Sequence, residues 1–249
     1  MIHFVGAGPG AEDLITARGQ NLLRRADRVI YAGSLVNPAL LNLCRADCEI
    51  LDSSRMTLAE VIDALSRDHN NDSIIVRLHA GDPSIYGAIR EQMDELCKLG
   101  VPFEVVPGVS AFCAAAAALD AEYTLPGVSQ TVILTRVAGR TPVPEKEDIR
   151  SLAAHQASMA LFLSAGMLPQ LRDALLEGGY PADTPAALVY KASWPDERIS
   201  RGTLENLLDL GDGITKTAMV LVGRFLGGEQ TRSKLYDPAF GHGFREARV

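Results

Sequence analysis

The residues best suited by type to do chemistry lie in four short loops, each directly after an apolar, β-rich run. The first is Gly6-Ala7-Gly8-Pro9-Gly10-Ala11, after residues 2–5. The second is Gly81-Asp82-Pro83, after residues 73–78 and the dipeptide His79-Ala80. The third is Pro107-Gly108-Val109-Ser110, after residues 103–106, and the fourth is Ala192-Ser193-Trp194-Pro195-Asp196-Glu197, after residues 187–190. Glycine lets a ligand approach the backbone closely, and proline stiffens the loop that receives it. In a parallel sheet, ligands bind beyond the carboxyl ends of the strands, where such loops sit.

The first loop resembles a dinucleotide-binding turn, because a strand precedes it and a helix is predicted over residues 13–26. Its charges argue otherwise. Glu12 and Asp13 stand at the predicted helix start. At ~6 Å and an effective dielectric near 20, each would repel a phosphate by roughly 3 kcal/mol before screening. The second predicted strand, 28–31, runs into Ala32-Gly33-Ser34 with no carboxylate to grip a ribose. A nicotinamide-dependent oxidoreductase is therefore disfavoured, and the loop reads as a tight turn.

The other loops leave two readings open. Asp82 can cap the following helix or hold a cation or hydroxyl of a ligand. Ser110 can cap the alanine-rich helix predicted over 111–121, or its neighbouring N–H groups can face a carboxylate. Trp194, the only tryptophan, is a packed lid or a stacking surface for a flat ligand. His79 is a packed histidine or a weak candidate proton acceptor, and no Ser–His–Asp or Cys–His arrangement is visible. From Tyr123 to Pro144 there is no Asp or Glu, and the stretch carries Arg136 and Arg140. Either these are solvated loop arginines or their planar forks bind carboxylates.

Strands at 2–5, 28–31, 73–78 and 103–106 must position the first three loops, with helices at 13–26, 58–66 and 86–99. This βαβ rhythm predicts a parallel sheet with helices on its faces. Thr124-Leu125-Pro126-Gly127 marks a turn and an expected domain boundary. A second series of strands follows at 131–135, 159–163, 187–190 and 218–222, with helices near 168–176 and 204–210. The expected division is an N-terminal α/β domain over 1–115, a C-terminal α/β domain over 116–228, and a tail over 229–249 that either docks on a partner or stays loose.

The chain has 249 residues, enough for a sizeable core in one or two domains. Its 24 Lys and Arg stand against 31 Asp and Glu, a net charge of −7. That balance argues against a nucleic-acid partner. A hydrophobic content of 47% excludes a disordered chain. The apolar run at 111–119 is too short to span a membrane. The start, MIHFVGAGPG, does not read as a secretory signal. Cys44, Cys48, Cys97 and Cys113 form no CxxC pair or zinc spacing, so no metal site is expected and the usage is that of a reducing cytoplasm.

Taken together, GAGPG followed by Asp13-Leu14-Ile15-Thr16, then HAGDPSIYG, then VPGVSAFCAAAA, resemble the tetrapyrrole (corrin/porphyrin) methylase family, in order and across nearly the whole chain to about Gly227. Within the family, residues 129–136, 139–145 and 190–199 are most similar to members that methylate a corrin precursor at C11. The resemblance implies the tetrapyrrole methylase fold (class III methyltransferase), with two α/β domains and S-adenosylmethionine folded in a cleft between them. S-adenosylhomocysteine would be the product. Carried over motif by motif, cofactor contacts come from Pro9, Ala80, Gly81, Asp82, Ile85, Tyr86, Ser110 and Ala111. The second domain adds Leu163, Ala192, Ala218 and Met219. Arg136 and Arg140 are the candidate substrate residues, the substrate being a carboxylated tetrapyrrole. A homodimer is implied too. The alternative within the family is methylation at another ring carbon, or of uroporphyrinogen III. Where the family pattern has an Asp after the second strand, this chain has Gly33, so no carboxylate role is carried over there.

Overall fold

Strand β1 (Ile2–Gly6) is buried along its whole length. Its alternate side chains divide between two layers: Val5 packs with Leu22 and Leu23, while Ile2 and Phe4 pack with Val61, Leu65 and Leu96. A strand with apolar residues on both faces needs helices on both sides. The computed structural model, which describes residues 1–67, 72–227 and 233–247, places them there. The described chain divides into two compact units. One comprises residues 1–115 with 191–198, the other 116–190 with 199–249.

In the first unit, β1 is joined by β2 (Arg28–Tyr31), β3 (Glu49–Asp52), β4 (Ile75–His79) and β5 (Phe103–Val106). The order is β3-β2-β4-β1-β5, and every pairing is parallel. Helix α1 (Ala17–Arg25) covers one face; α2 (Leu58–Ser66) and α3 (Ile89–Lys98) cover the other. The predicted helix at 13–26 starts only at Ala17, because the Thr16 side chain accepts the Gly19 N–H and caps it. Glu12 and Asp13 fall in a separate 3-10 turn. The predicted helix at 86–99 starts at Ile89, since Tyr86 and Ala88 adopt left-handed backbone. Strand β3 was not foreseen: its alternation is half-exposed and its run only four residues long.

Helix α4 (Ala111–Ala118) contains the residue division after Ala115. In the second unit, β6 (Val132–Arg136), β7 (Ser158–Phe162), β8 (Pro185–Tyr190), β9 (Arg198–Thr203) and β10 (Ala218–Val222) form a sheet of order β6-β7-β10-β8-β9. Strand β10 inserts between β7 and β8 and is antiparallel to both, so this sheet is mixed. Met159, Leu161, Leu188, Val220 and Val222 pack against α5 (Ile149–Ala153), α6 (Leu168–Glu177) and α7 (Leu207–Leu210). Strand β9 and helix α5 were not foreseen, and the helix expected at 204–210 shrinks to four residues.

The boundary expected at 228 lies outside the described residues, as do 229–232 and 248–249 of the tail. Within residues 233–247, Arg245 Nη2 donates to the carbonyls of Leu235, Asp237 and Phe240, tying the segment to itself. Among the described residues, no helix is long and apolar enough to cross a membrane.

Candidate active site

Strands β4, β1 and β5 are neighbours, so their three loops leave the sheet side by side. The backbone locks them together. Gly8 and Gly81 exchange hydrogen bonds, Gly81 N–H to Gly8 at 2.8 Å and Gly8 N–H to Gly81 at 3.2 Å, and Ala7 N–H donates to the His79 carbonyl at 2.7 Å. The third loop is held by Asp82, whose Oδ2 accepts the Gly108 N–H at 2.8 Å. A Cβ on Gly6 would lie 2.5 Å from Gly108 Cα and 2.6 Å from the Gly81 oxygen. Glycine is required at this junction because three backbones meet within one side chain's width.

Asp82 Oδ1 takes the Ser84 N–H at 2.8 Å and the Ser84 hydroxyl. Burial works against its charge, but the donors from Ser84 and Gly108 outweigh it and hold the carboxyl below its ordinary range. Asp82 is thus the fastener of two loops, whatever it offers a ligand. Ser110 plays the helix-start role through its backbone, its carbonyl accepting from Cys113 and Ala114.

The glycine loop cannot clamp a pyrophosphate as a dinucleotide turn does. Three of its amides are already committed: Ala7 to His79, Gly8 to Gly81, and Ala11 to Ser193 Oγ at 3.0 Å. The following helix opens well beyond the loop, at Thr16.

Residues 191–198 pack with the first unit, so Ala192, expected in the second, is in the first. Two anchors on the glycine loop account for this. Ser193 holds Ala11, and Trp194 Nε1 donates to the Pro9 carbonyl at 2.9 Å. The indole occupies the space where a side chain on Gly10 would stand. Lys191 Nζ lies 5.1 Å from the ring centroid and is fixed by Asp196 at 2.6 Å. Trp194 is therefore a packed lid on the loop. Asn37 Nδ2 braces the same turn at the Gly10 carbonyl, 2.8 Å away. Only the Asn37-Pro38 dipeptide hinted at that role, and sequence reasoning passed over it.

His79 is 3% exposed, ends β4 and stacks on Phe4 at 6.0 Å. Burial, aided by the Arg77 charge, pushes its pKa down to about 3, so the ring is neutral near neutral pH and a poor proton acceptor. Arg77 itself is buried. Its guanidinium bonds Gln92 Oε1, the Ile30 carbonyl and Ser53 Oγ, joining β4 to α3, β2 and the turn after β3. Gly33 has φ +47°, and a Cβ there would meet Ser54 Cβ at 2.7 Å and Asp52 Oδ1 at 2.9 Å. The space an aspartate would need at position 33 is already taken.

In the second unit the register gathers the candidates on one sheet edge. Arg136 pairs with Phe162 at the ends of β6 and β7, and Leu163 follows directly. Antiparallel β10 begins there, with Ala218 opposite Tyr190 and Met219 opposite Val189. The Leu163 and Thr217 backbones are left-handed, φ +54° and +57°. A β-branched residue in that region is strained, a feature that clusters at ligand sites. Ser164, fully buried, takes the Val137 N–H at 3.0 Å and donates to the Phe162 carbonyl at 2.7 Å, stapling the two strand ends.

The two arginines separate. Arg136 Nη1 donates to the carbonyls of Val137 (3.3 Å) and Thr141 (3.1 Å), and Nη2 to that of Pro142 (2.7 Å). Arg140 is exposed and has no hydrogen bond or ion pair among the described residues.

Comparison with known proteins agrees with the loops. The sequence profile of the Tetrapyrrole (Corrin/Porphyrin) Methylases matches residues 1–208. A cobalt-precorrin-4 C(11)-methyltransferase of Methanocaldococcus jannaschii is 51% identical over 249 residues, covering 99% of this chain and 96% of its own. Among solved structures, a cobalt precorrin-4 methyltransferase of cobalamin biosynthesis superposes with a TM-score of 0.88 at 45% identity, covering 91% of this chain and 96% of that one. A uroporphyrin-III C-methyltransferase from Thermus thermophilus, complexed with S-adenosylhomocysteine, gives 0.75 at 27% identity, covering 90% and 92%.

Proposed function

Because this chain belongs to the tetrapyrrole (corrin/porphyrin) methylase family, we propose that it transfers a methyl group from S-adenosylmethionine to C11 of precorrin-4 or its cobalt form, in cobalamin biosynthesis. The observation that carries this reading is that the likeness to C11 enzymes runs through both units. Likeness confined to the cofactor loops would leave the ring carbon open.

The residues fit such a cofactor. Each unit, taken alone, exposes a large side chain on strained backbone beyond a strand: Tyr86 in the segment leading to α3 (φ +55°, 46% exposed) and Leu163 directly after β7 (φ +54°, 62% exposed). Large apolar groups held out at a conformational cost suit a ligand with an aromatic face. In the first unit Pro9, Ala80, Gly81, Asp82, Ile85, Tyr86, Ser110, Ala111 and Ala192 would hold it; in the second, Leu163, Ala218 and Met219. When bound, the cofactor supplies a methyl group already activated on a sulfonium.

The chain's own task is then alignment. Rigid loops that fix donor and acceptor give effective molarities of about 10⁵ M or more, roughly 7 kcal/mol of barrier. Buried, with its pKa pushed down to about 3, His79 is too weak a base to carry a proton transfer, and His79→Ala is expected to keep methylation within tenfold. The substrate's carboxylates call for cations, and Arg140 is the exposed one in the acid-free stretch. Its interaction with them weakens with added salt. We extend the reading to a homodimer, tested by sedimentation equilibrium, and to the cytoplasm, which suits four free thiols.

The deciding experiment is incubation with methyl-labelled S-adenosylmethionine and, separately, precorrin-4 and its cobalt form, followed by carbon NMR of the product. A label at C11 supports the reading. A label at another carbon overturns it.

A further inference from the structure

We infer that Arg136 is a positioning residue, whose guanidinium closes residues 137–142 into a fixed arc and so presents Arg140 to a carboxylate of the substrate. The inference rests on the proposed reaction and deepens it. The guanidinium gathers three carbonyls, those of Val137, Thr141 and Pro142, from both ends of the segment. Inside the arc, Gly139 N–H donates to the Thr141 carbonyl at 3.2 Å. The base of the arc is pinned independently, since the buried Val137 gives its N–H to Ser164. Arg140 stands within this closed segment, exposed and without a partner among the described residues.

Two physical points follow. A segment of this kind, containing Gly139 and ending at Pro142, would sample many conformations if Arg136 released it. Holding it beforehand removes that ordering cost from substrate binding. The second point concerns charge. Arg136 spends its donors on neutral carbonyls, not on a carboxylate, so its charge is not cancelled. No Asp or Glu occurs from Tyr123 to Pro144. The arc therefore brings its exposed cation without an acidic residue of its own, against the chain's net charge of −7.

The test is a double-mutant cycle on the intact enzyme with cobalt-precorrin-4, using Arg136→Ala, Arg140→Ala and both together. S-adenosylhomocysteine affinity is measured by calorimetry as a control. Arg140→Ala is expected to raise KM about tenfold, the size of one lost ion pair of about 1.4 kcal/mol, with kcat within twofold. Arg136→Ala should raise KM by a similar factor, and the double variant no further than Arg140→Ala alone, because the first residue acts through the second. Tryptic cleavage after Arg140 should quicken about tenfold in Arg136→Ala, reporting release of the arc. Arg136→Lys should fail to rescue either reading, as a point ammonium cannot replace a planar fork on three carbonyls. It also carries the cycle if the alanine variant does not fold. Multiplying KM effects would mean that Arg136 meets substrate itself and would overturn the inference. So would an unchanged cleavage rate, or an unchanged KM in Arg140→Ala. Absence of methyl transfer by the wild-type enzyme would instead count against the proposed reaction.

Discussion

The two units build their loop edges by different means. In the first, three strand-end loops are fused backbone to backbone: Gly6 and Gly108 meet where no side chain fits, and Gly81 holds a left-handed backbone, φ +63°. In the second, the strand ends are tied by side chains: Ser164 joins β6 to β7, and Arg136 closes the loop beyond β6. The first solution leaves no room for a side chain at Gly6 or Gly108 but needs no particular side-chain rotamer. The second is adjustable, since a stapling side chain can be replaced at moderate cost.

This contrast can be broken at its strong end first. Gly108→Ala puts a methyl group 2.7 Å from Gly6 Cα and closer still to the Gly81 carbonyl. It should destabilise the first unit by about 3 kcal/mol and abolish cofactor binding, read by denaturant melts and by titration with S-adenosylhomocysteine. A neutral outcome would mean the junction is loose and the comparison empty. Asp82→Ala removes the acceptor of the Gly108 amide and both Ser84 donors, at about 2 kcal/mol. The Asp82 carboxyl is held below its ordinary pKa of 3.8, so its contribution is full above that value and is lost as pH falls through the folded-state pKa. The alanine variant should show a flatter acid limb.

Ser164→Ala leaves a buried Val137 N–H without its acceptor, and about 1.5 kcal/mol is expected in the second unit, less than at the glycine junction. Trp194→Phe keeps the packing on Gly10 but loses the bond to Pro9, worth about 1 kcal/mol in a thermal melt. The smallest effect near neutral pH is at His79. Its pKa falls from 6.5 unfolded to about 3 folded, so the unfolded chain binds the extra proton. Stability is full above pH 6.5 and declines as pH drops from there toward 3, and His79→Gln should remove that part of the slope in urea midpoints taken at several pH values.

Much of the first unit was legible because its signals are local. Largely apolar, β-branched-rich runs marked the strands, and Gly-Asp-Pro and Pro-Gly marked where they end. Helix starts were misplaced where one residue outweighed periodicity, Thr16 by capping and Ala88 by its left-handed backbone. Half-exposed β3 and β9 lack the continuous apolar run that revealed the others. Arg136 and Arg140 looked equivalent as a pair of cations in an acid-free stretch. Only the arc of carbonyls around one of them distinguished a clamp from a free charge.

The sequence by itself determined the strand-end loops, their order, and the family whose chemistry they carry, since each depends on neighbours in the chain. The tertiary structure alone decided which of those loops touch. Gly8 meets Gly81 because β1 lies beside β4. Residues 191–198 join the first unit because Trp194 and Ser193 find the glycine loop from more than 180 residues away. Ala218 reaches the edge that holds Leu163 because β10 enters the sheet antiparallel. Pairing of distant strands is set by the sum of many weak packing choices, and no local motif records that sum.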